Sequence, residues 1–163
     1  MSLRVPDWFR EASRERASCG TGFVANILGY KSHEILEKGL EAVANLTHRG
    51  ALSADGKTGD GAGVLTQIPR RIFRPEITGR GKPMPEEGNL AVAMVFFPQA
   101  DLARERCRQF FEEAAKKCGL QTLGWRKVPV NPKALGEKAT ATQPVIEQFL
   151  VSRKGKIPKK EFE

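Results

Sequence analysis

The feature that most limits how this chain can fold is an uninterrupted apolar run, Ala91-Val92-Ala93-Met94-Val95-Phe96-Phe97, within a segment set between Gly88 and Pro98. Its length and its valines and phenylalanines predict a strand over 89–97. Because the hydrophobicity is continuous rather than alternating, that strand is expected to be buried on both faces, in the core of a layered structure. The run is far short of the roughly 20 apolar residues needed to cross a bilayer, and no other segment comes closer. A chain of 163 residues can build one domain around such a core. A hydrophobic fraction of 40% with 28% charged residues fits a soluble, folded protein.

Elements on either side follow from changes of period. Downstream, Asp101 is expected to cap a helix whose Ala103, Cys107, Phe110, Phe111, Ala114 and Cys118 share one face before Gly119 ends it, which makes both cysteines packing residues. Leu123 to Val130 predicts a short strand that stops at Asn131-Pro132, followed by a turn or short helix and a last strand over 144–151. Upstream, Phe23, Ala25 and Ile27 at period two predict a strand between Gly20 and Gly29, with Cys19 at its entrance. From Ser32, a plausible N-cap, Leu36, Leu40, Val43 and Thr47 predict a helix to about His48. Gly39 inside it costs about 1 kcal/mol of helix propensity and implies close approach to a neighbouring strand. A glycine-rich turn region then leads to a strand over Val64–Ile68, and Arg74–Gly88 reads as an exposed loop. The order β, α, β, loop, β, α, β, β is α+β. It fits an antiparallel sheet with helices on one side or part of a larger layered fold, and pattern leaves both open.

The formal charge of +8 is spread along the chain, with local concentrations only at Arg70-Arg71 and in the tail from Arg153 to Lys160. That distribution predicts a solvated basic surface rather than a nucleic-acid footprint. Cys19, Cys107 and Cys118, with His33 and His48, form no C-x-x-C or H-x-x-x-H pair, so no zinc site and no disulfide framework are expected. The first residues are charged where a signal peptide is apolar, which makes a cytoplasmic location the expectation, with no membrane association. Residues 1–18 read as a leader.

Cys19 is set apart from the other thiols by Gly20 after it, which lets backbone approach a ligand. More specific are three segments in order: Cys19-Gly20-Thr21-Gly22-Phe23, then Leu46-Thr47-His48-Arg49-Gly50-Ala51, then Thr58-Gly59-Asp60-Gly61-Ala62-Gly63. Together with Leu123-Gly124-Trp125-Arg126-Lys127-Val128-Pro129-Val130 and Leu135-Gly136, they resemble the N-terminal part of the glutamine amidotransferase domain of the glutamate synthase large subunit, a class II, N-terminal-nucleophile amidotransferase. The likeness runs from residue 19 to about 152. It implies a four-layer αββα sandwich, glutamine as substrate, and Cys19 as a nucleophile exposed by removal of residues 1–18. A free α-amine (pKa about 8) can take the thiol proton (about 8.5) at a cost near 1 kcal/mol or less, which an internal peptide nitrogen cannot do.

The resemblance further implies that Arg49 lies near the nucleophile, where a fixed positive charge favours thiolate, although it also suits a helix C-terminus. Asp60 falls where the family brings backbone close to the active centre, yet an Asp between glycines is also a common turn residue. The GDGAG run lacks the Lys-Ser/Thr of a P-loop. His48 is expected to be structural, and Trp125 a core tryptophan. The family's substrate arginine, oxyanion-hole Asn-Gly turn and Asp-containing loop have no counterpart before Glu163. The chain therefore reads as the N-terminal portion of the domain, incomplete at its C-terminus and nearly inactive alone. FMN and an iron–sulfur cluster are implied only for the synthase part of the intact enzyme, which would be the partner of this domain. The alternative is a non-catalytic interaction module that binds a partner chain or nucleic acid through its basic surface.

Overall fold

The computed structural model describes residues 20–46, 56–59 and 61–153. The chain divides into two compact units, Met1–Leu65 and Thr66–Glu163.

In the first unit the predicted helix is present as α1, His33–Asn45. Ser32 caps it as expected: its backbone is extended, and its Oγ accepts from the Ile35 N–H at 3.4 Å. The strand expected between Gly20 and Gly29 is absent. Asn26 Oδ1 accepts from the Leu28 N–H at 2.8 Å, and Gly29, at φ 74°, donates to the Asn26 carbonyl. A side-chain-stabilised turn thus interrupts the period-two pattern, leaving Phe23 and Ile27 exposed. Val64–Ile68 is not a strand either, since no described segment supplies it with a ladder partner. The close approach predicted at Gly39 is made to Val64, with a methyl placed at Gly39 lying 3.7 Å from Val64 Cγ1. That is ordinary contact, and Val64 belongs to a connecting segment, not a strand.

The second unit carries a three-stranded antiparallel sheet in the order β1-β3-β2, formed by β1 (Leu90–Phe97), β2 (Gln121–Lys127) and β3 (Val145–Ser152). The three strands predicted in this part of the chain all exist. The sheet has a helix on each face, not on one side only. Leu90, Leu123 and Leu150 face α2 (Arg70–Thr78) and pack with its Phe73 and Ile77. Val95, Phe97, Phe149 and Val151 face α3 (Asp101–Lys117), with Ala115 and Cys107 against them. The α+β class holds, and the described residues contain this single sheet.

Helix α2 occupies the start of the segment read as a loop. Phe73 and Ile77, four residues apart, form a short apolar stripe that is wholly buried, while Pro75 between them made the sequence look broken. Proline removes one backbone donor, and a helix of nine residues tolerates that loss when its apolar face is packed. At about 1.5 Å per residue, α2 spans roughly 14 Å and covers only one end of the sheet. Strand β1 is accordingly not buried on both faces along its length: Met94 and Phe96 are 50% and 63% exposed, whereas Val95 and Phe97 are buried.

Helix α3 is rotated from the predicted orientation. Its covered residues are Ala103, Arg104, Cys107, Arg108 and Ala115, with Phe111 at 38% exposure making ring contacts to Phe97, Trp125 and Phe149, whereas Phe110, Ala114 and Cys118 are exposed. Cys118 is therefore not a packing residue. The rotation brings Arg108 over buried Glu147 of β3, and its guanidinium donates to both carboxylate oxygens. Asp101 does not cap this helix; Ala100 is the N-cap, and Asp101 pairs with Arg104 inside the first turn. Gly119 does end it, at φ 71°. After β2, Asn131 caps a 3₁₀ turn, Pro132–Ala134, and a short helix, α4 (Glu137–Ala141), leads into β3.

Strand β2 contains a bulge, with Leu123 and Gly124 together opposite Leu150. The extra residue turns Leu123 toward α2 and returns Trp125 to the α3 side. Trp125 stacks on Phe149 at 4.4 Å and meets Phe97 and Phe111, and its Nε1 donates to Glu112. It is the core tryptophan that was expected. Gly124, at φ 139°, has no room for a Cβ beside the Arg80 guanidinium, which donates to the Trp125 carbonyl at 2.6 Å.

Candidate active site

Three segments were singled out for chemistry, and α1 is met by Gly20 of the first and by Val64, the residue that follows the third. Gly20, which follows Cys19, lies against Leu46, the C-cap of α1: a Cβ at Gly20 would be 2.9 Å from Leu46 Cδ2. Leu46 opens the second segment. The third segment runs into Val64, which meets α1 at Gly39. A helix set up by Ser32 and an apolar face of Leu36 and Val43 thus gathers the glycine after the cysteine and the residue after the glycine-rich turn.

Of the predicted site residues, Gly20 is described and exposed. Cys19, Arg49 and Asp60 lie outside the described residues, as do His48 and the leader 1–18. Gly56 adopts φ 65°, the left-handed conformation a turn needs. Gly22, Gly61 and Gly63 have no neighbouring atom within 4 Å of where a Cβ would stand. Those three glycines leave open space beside the backbone and are not required by packing.

Electrostatics close to α1 are simple. Lys38 Nζ donates to Glu34 at 2.6 Å, which holds the Glu34 carboxyl below its ordinary value and raises Lys38 above its own. Both side chains are exposed, so the pair supports the helix and does no chemistry.

The second unit offers buried charge that sequence reasoning missed, although Glu147 stood out as an acid within the apolar strand Val145–Ser152. Arg108 is occupied by Glu147 and by Glu105, and the Glu147 hydrogen bond is the first reason its pKa is raised. The arrangement fastens α3 to the sheet. A shallow cavity of about 190 Å³ beside Lys127, Gln143 and Ile146 holds one cation and no nucleophile. Among the described residues no group of three His, Cys, Asp or Glu side chains is placed to hold a metal ion, and no helix is long and apolar enough to cross a membrane.

Comparison with known proteins fits the ordering of these segments. Residues 19–163 match the family described as class-II glutamine amidotransferases, and the match begins at the cysteine. The chain belongs to this family. It is 47% identical over 138 residues to ferredoxin-dependent glutamate synthase 2 of Synechocystis, covering 85% of this chain and 9% of that protein. It is 42% identical over 150 residues to the glutamate synthase [NADPH] large chain of Azospirillum brasilense, covering 91% of this chain and 10% of the relative. The large chain of the Bacillus subtilis NADPH enzyme is 36% identical over 137 residues. The chain thus spans about a tenth of the length of the relatives it matches.

Proposed function

We propose that this chain supplies the nucleophile-bearing part of a glutamine amidotransferase domain of glutamate synthase. The observation that carries the reading is the meeting of Gly20 with Leu46 at the end of α1, which brings the start of the family match beside the segment leading to Arg49. In the complete domain, a four-layer αββα sandwich, Cys19 attacks the side-chain amide carbon of L-glutamine, and its own α-amine takes the thiol proton. Ammonia leaves, a γ-glutamyl thioester forms, and water releases glutamate. Arg49 favours the thiolate, Gly20 and the glycines around Asp60 let backbone come close to substrate, and removal of residues 1–18 frees the amine. The ammonia is consumed at a synthase site elsewhere in the enzyme, in the cytoplasm.

FMN and the iron–sulfur cluster belong to that synthase part.

Mass spectrometry of the purified chain treated with an electrophilic glutamine analogue is the test. A new N-terminus at Cys19, with one adduct on that residue, is the expected result. A persistent N-terminus at Met1 or Ser2 with Cys19 unlabelled would sink the reading for this molecule.

A further inference from the structure

On the proposed function, Cys19 becomes a chain terminus once residues 1–18 are removed, and its one covalent tether is then the peptide bond to Gly20. A chain end is poorly ordered unless the residues beside it are tied down. Whatever holds Gly20 therefore sets where the nucleophile sits. Among the described residues, the three atoms nearest to a Cβ built on Gly20 all belong to the Leu46 side chain, Cδ2 at 2.9 Å, Cδ1 at 3.2 Å and Cγ at 3.4 Å. The branched end of the leucine fills the space that a larger residue at 20 would claim, so alanine there would require the leucine to turn aside or the backbone to withdraw. Leu46 is itself fixed as the C-cap of α1: its N–H donates to the Ala42 carbonyl, and the helix leading to it starts at the Ser32 cap and carries half-covered Leu36 and Val43. The other glycine contact of α1, Gly39 with Val64, leaves 3.7 Å for a methyl and constrains neither residue type.

We infer that Leu46 is a positioning residue for Cys19, a role that rests on the reading of Cys19 as the nucleophile. The leucine seats Gly20, and through the Cys19–Gly20 peptide bond it sets where the thiol meets the side-chain amide of glutamine. It acts through Gly20 and not on the reacting atoms. The contact is made by the two Cδ carbons and Cγ, so alanine, which ends at Cβ, cannot make it, and valine, one carbon shorter, makes less of it. Gly20 thereby has a second reason to be glycine besides the approach of backbone to substrate: it has to fit beneath the end of α1. Misplacement of a reacting group by about 1 Å costs up to about 10²-fold in rate, so loss of the seat is read in alignment of the thiol and not in its accessibility.

The test compares two labels on Cys19 of the purified chain, each followed over time by mass spectrometry of the Cys19 peptide. One is a chloromethyl ketone analogue of glutamine, whose chloride an aligned thiolate displaces; the other is iodoacetamide, which needs an accessible thiol and no alignment. Leu46→Ala should slow the analogue about tenfold and leave iodoacetamide within about twofold. Leu40→Ala, at an exposed position of the same helix, should change neither rate. If Leu46→Ala does not fold, a volume-conserving pair replaces it: Gly20→Ala alone should slow the analogue about tenfold, and adding Leu46→Val, which removes one carbon where alanine adds one, should restore most of the rate. Labelling of Leu46→Ala at the parent rate, an equal fall with both reagents, or a Gly20→Ala defect that Leu46→Val does not relieve would overturn the role of Leu46 while leaving Cys19 as the nucleophile. A parent chain whose Cys19 the analogue does not label would overturn the proposed function, and this role with it.

Discussion

The two units differ in what they hold together. Every buried residue of the described structure lies in Thr66–Glu163, where two helices cover a sheet from opposite faces. The described residues of Met1–Leu65 include none that is buried, yet three of the segments that carry the family resemblance lie there, while two others, residues 123–130 and Leu135-Gly136, lie in the second unit. Chemistry that needs backbone close to a ligand calls for glycine, and glycine contributes no side chain to a core. The described core is thus confined to the second unit, whereas the family match spans both.

Truncation in the core should separate the units most strongly. Leu150→Ala, on the central strand and fully buried, is expected to cost about 2–5 kcal/mol, and Leu40→Ala on α1, half exposed, about 0.5 kcal/mol or less. Urea denaturation of both variants measures the difference, and equal losses would break the comparison. Next in size is the buried ion pair. Glu147→Ala should cost about 1–3 kcal/mol, because Arg108 loses its main partner while remaining partly open to water. Glu147→Gln, which keeps the shape, should cost less, and the same denaturation experiment reads both.

Gly124→Ala should cost about 1 kcal/mol or more, since alanine is strained at φ 139° and its methyl would displace Arg80 from the Trp125 carbonyl. Faster amide exchange in β2, with α1 unchanged, is the expected signature. The smallest effect belongs to Glu34 and Lys38. With the Glu34 pKa lowered from 4.5, its stabilising pair is present above that value and lost as pH falls through the lower folded value. With Lys38 raised from 10.5, the pair is present below that value and lost as pH rises through the higher folded one. An NMR titration of Glu34 should show the depressed midpoint, and Lys38→Ala should return it to the ordinary range.

Much of the second unit was legible. Strands β1, β2 and β3, the end of α3 at Gly119 and the core position of Trp125 follow from apolar runs and turn residues. Helix α2 was hidden because Pro75 and the neighbouring arginines outweighed a stripe of only two residues, Phe73 and Ile77. The face of α3 was misread because the helix carries more apolar residues than it buries: Phe110 and Phe111 are adjacent, and only contact with Trp125 and Phe149 selects Phe111. In the first unit, alternation between Gly20 and Gly29 was taken for a strand, when the side chain of Asn26 turns the chain locally. For the site, sequence supplied Cys19, Gly20, Arg49 and Asp60 as candidates, and the structure adds the contact of Gly20 with Leu46.

By itself the sequence determined the family, because that depends on residue types at fixed spacing, and it determined where the strands of the sheet lie, because strand formation follows local patterns of apolar residues. Only the tertiary structure decided that the sheet is covered on both faces, that Arg108 turns inward to a buried Glu147, and that Gly20 and Val64 meet α1. Each of those outcomes depends on which distant residues meet. A side chain's burial is set by its partners across space, and spacing along the chain does not encode them.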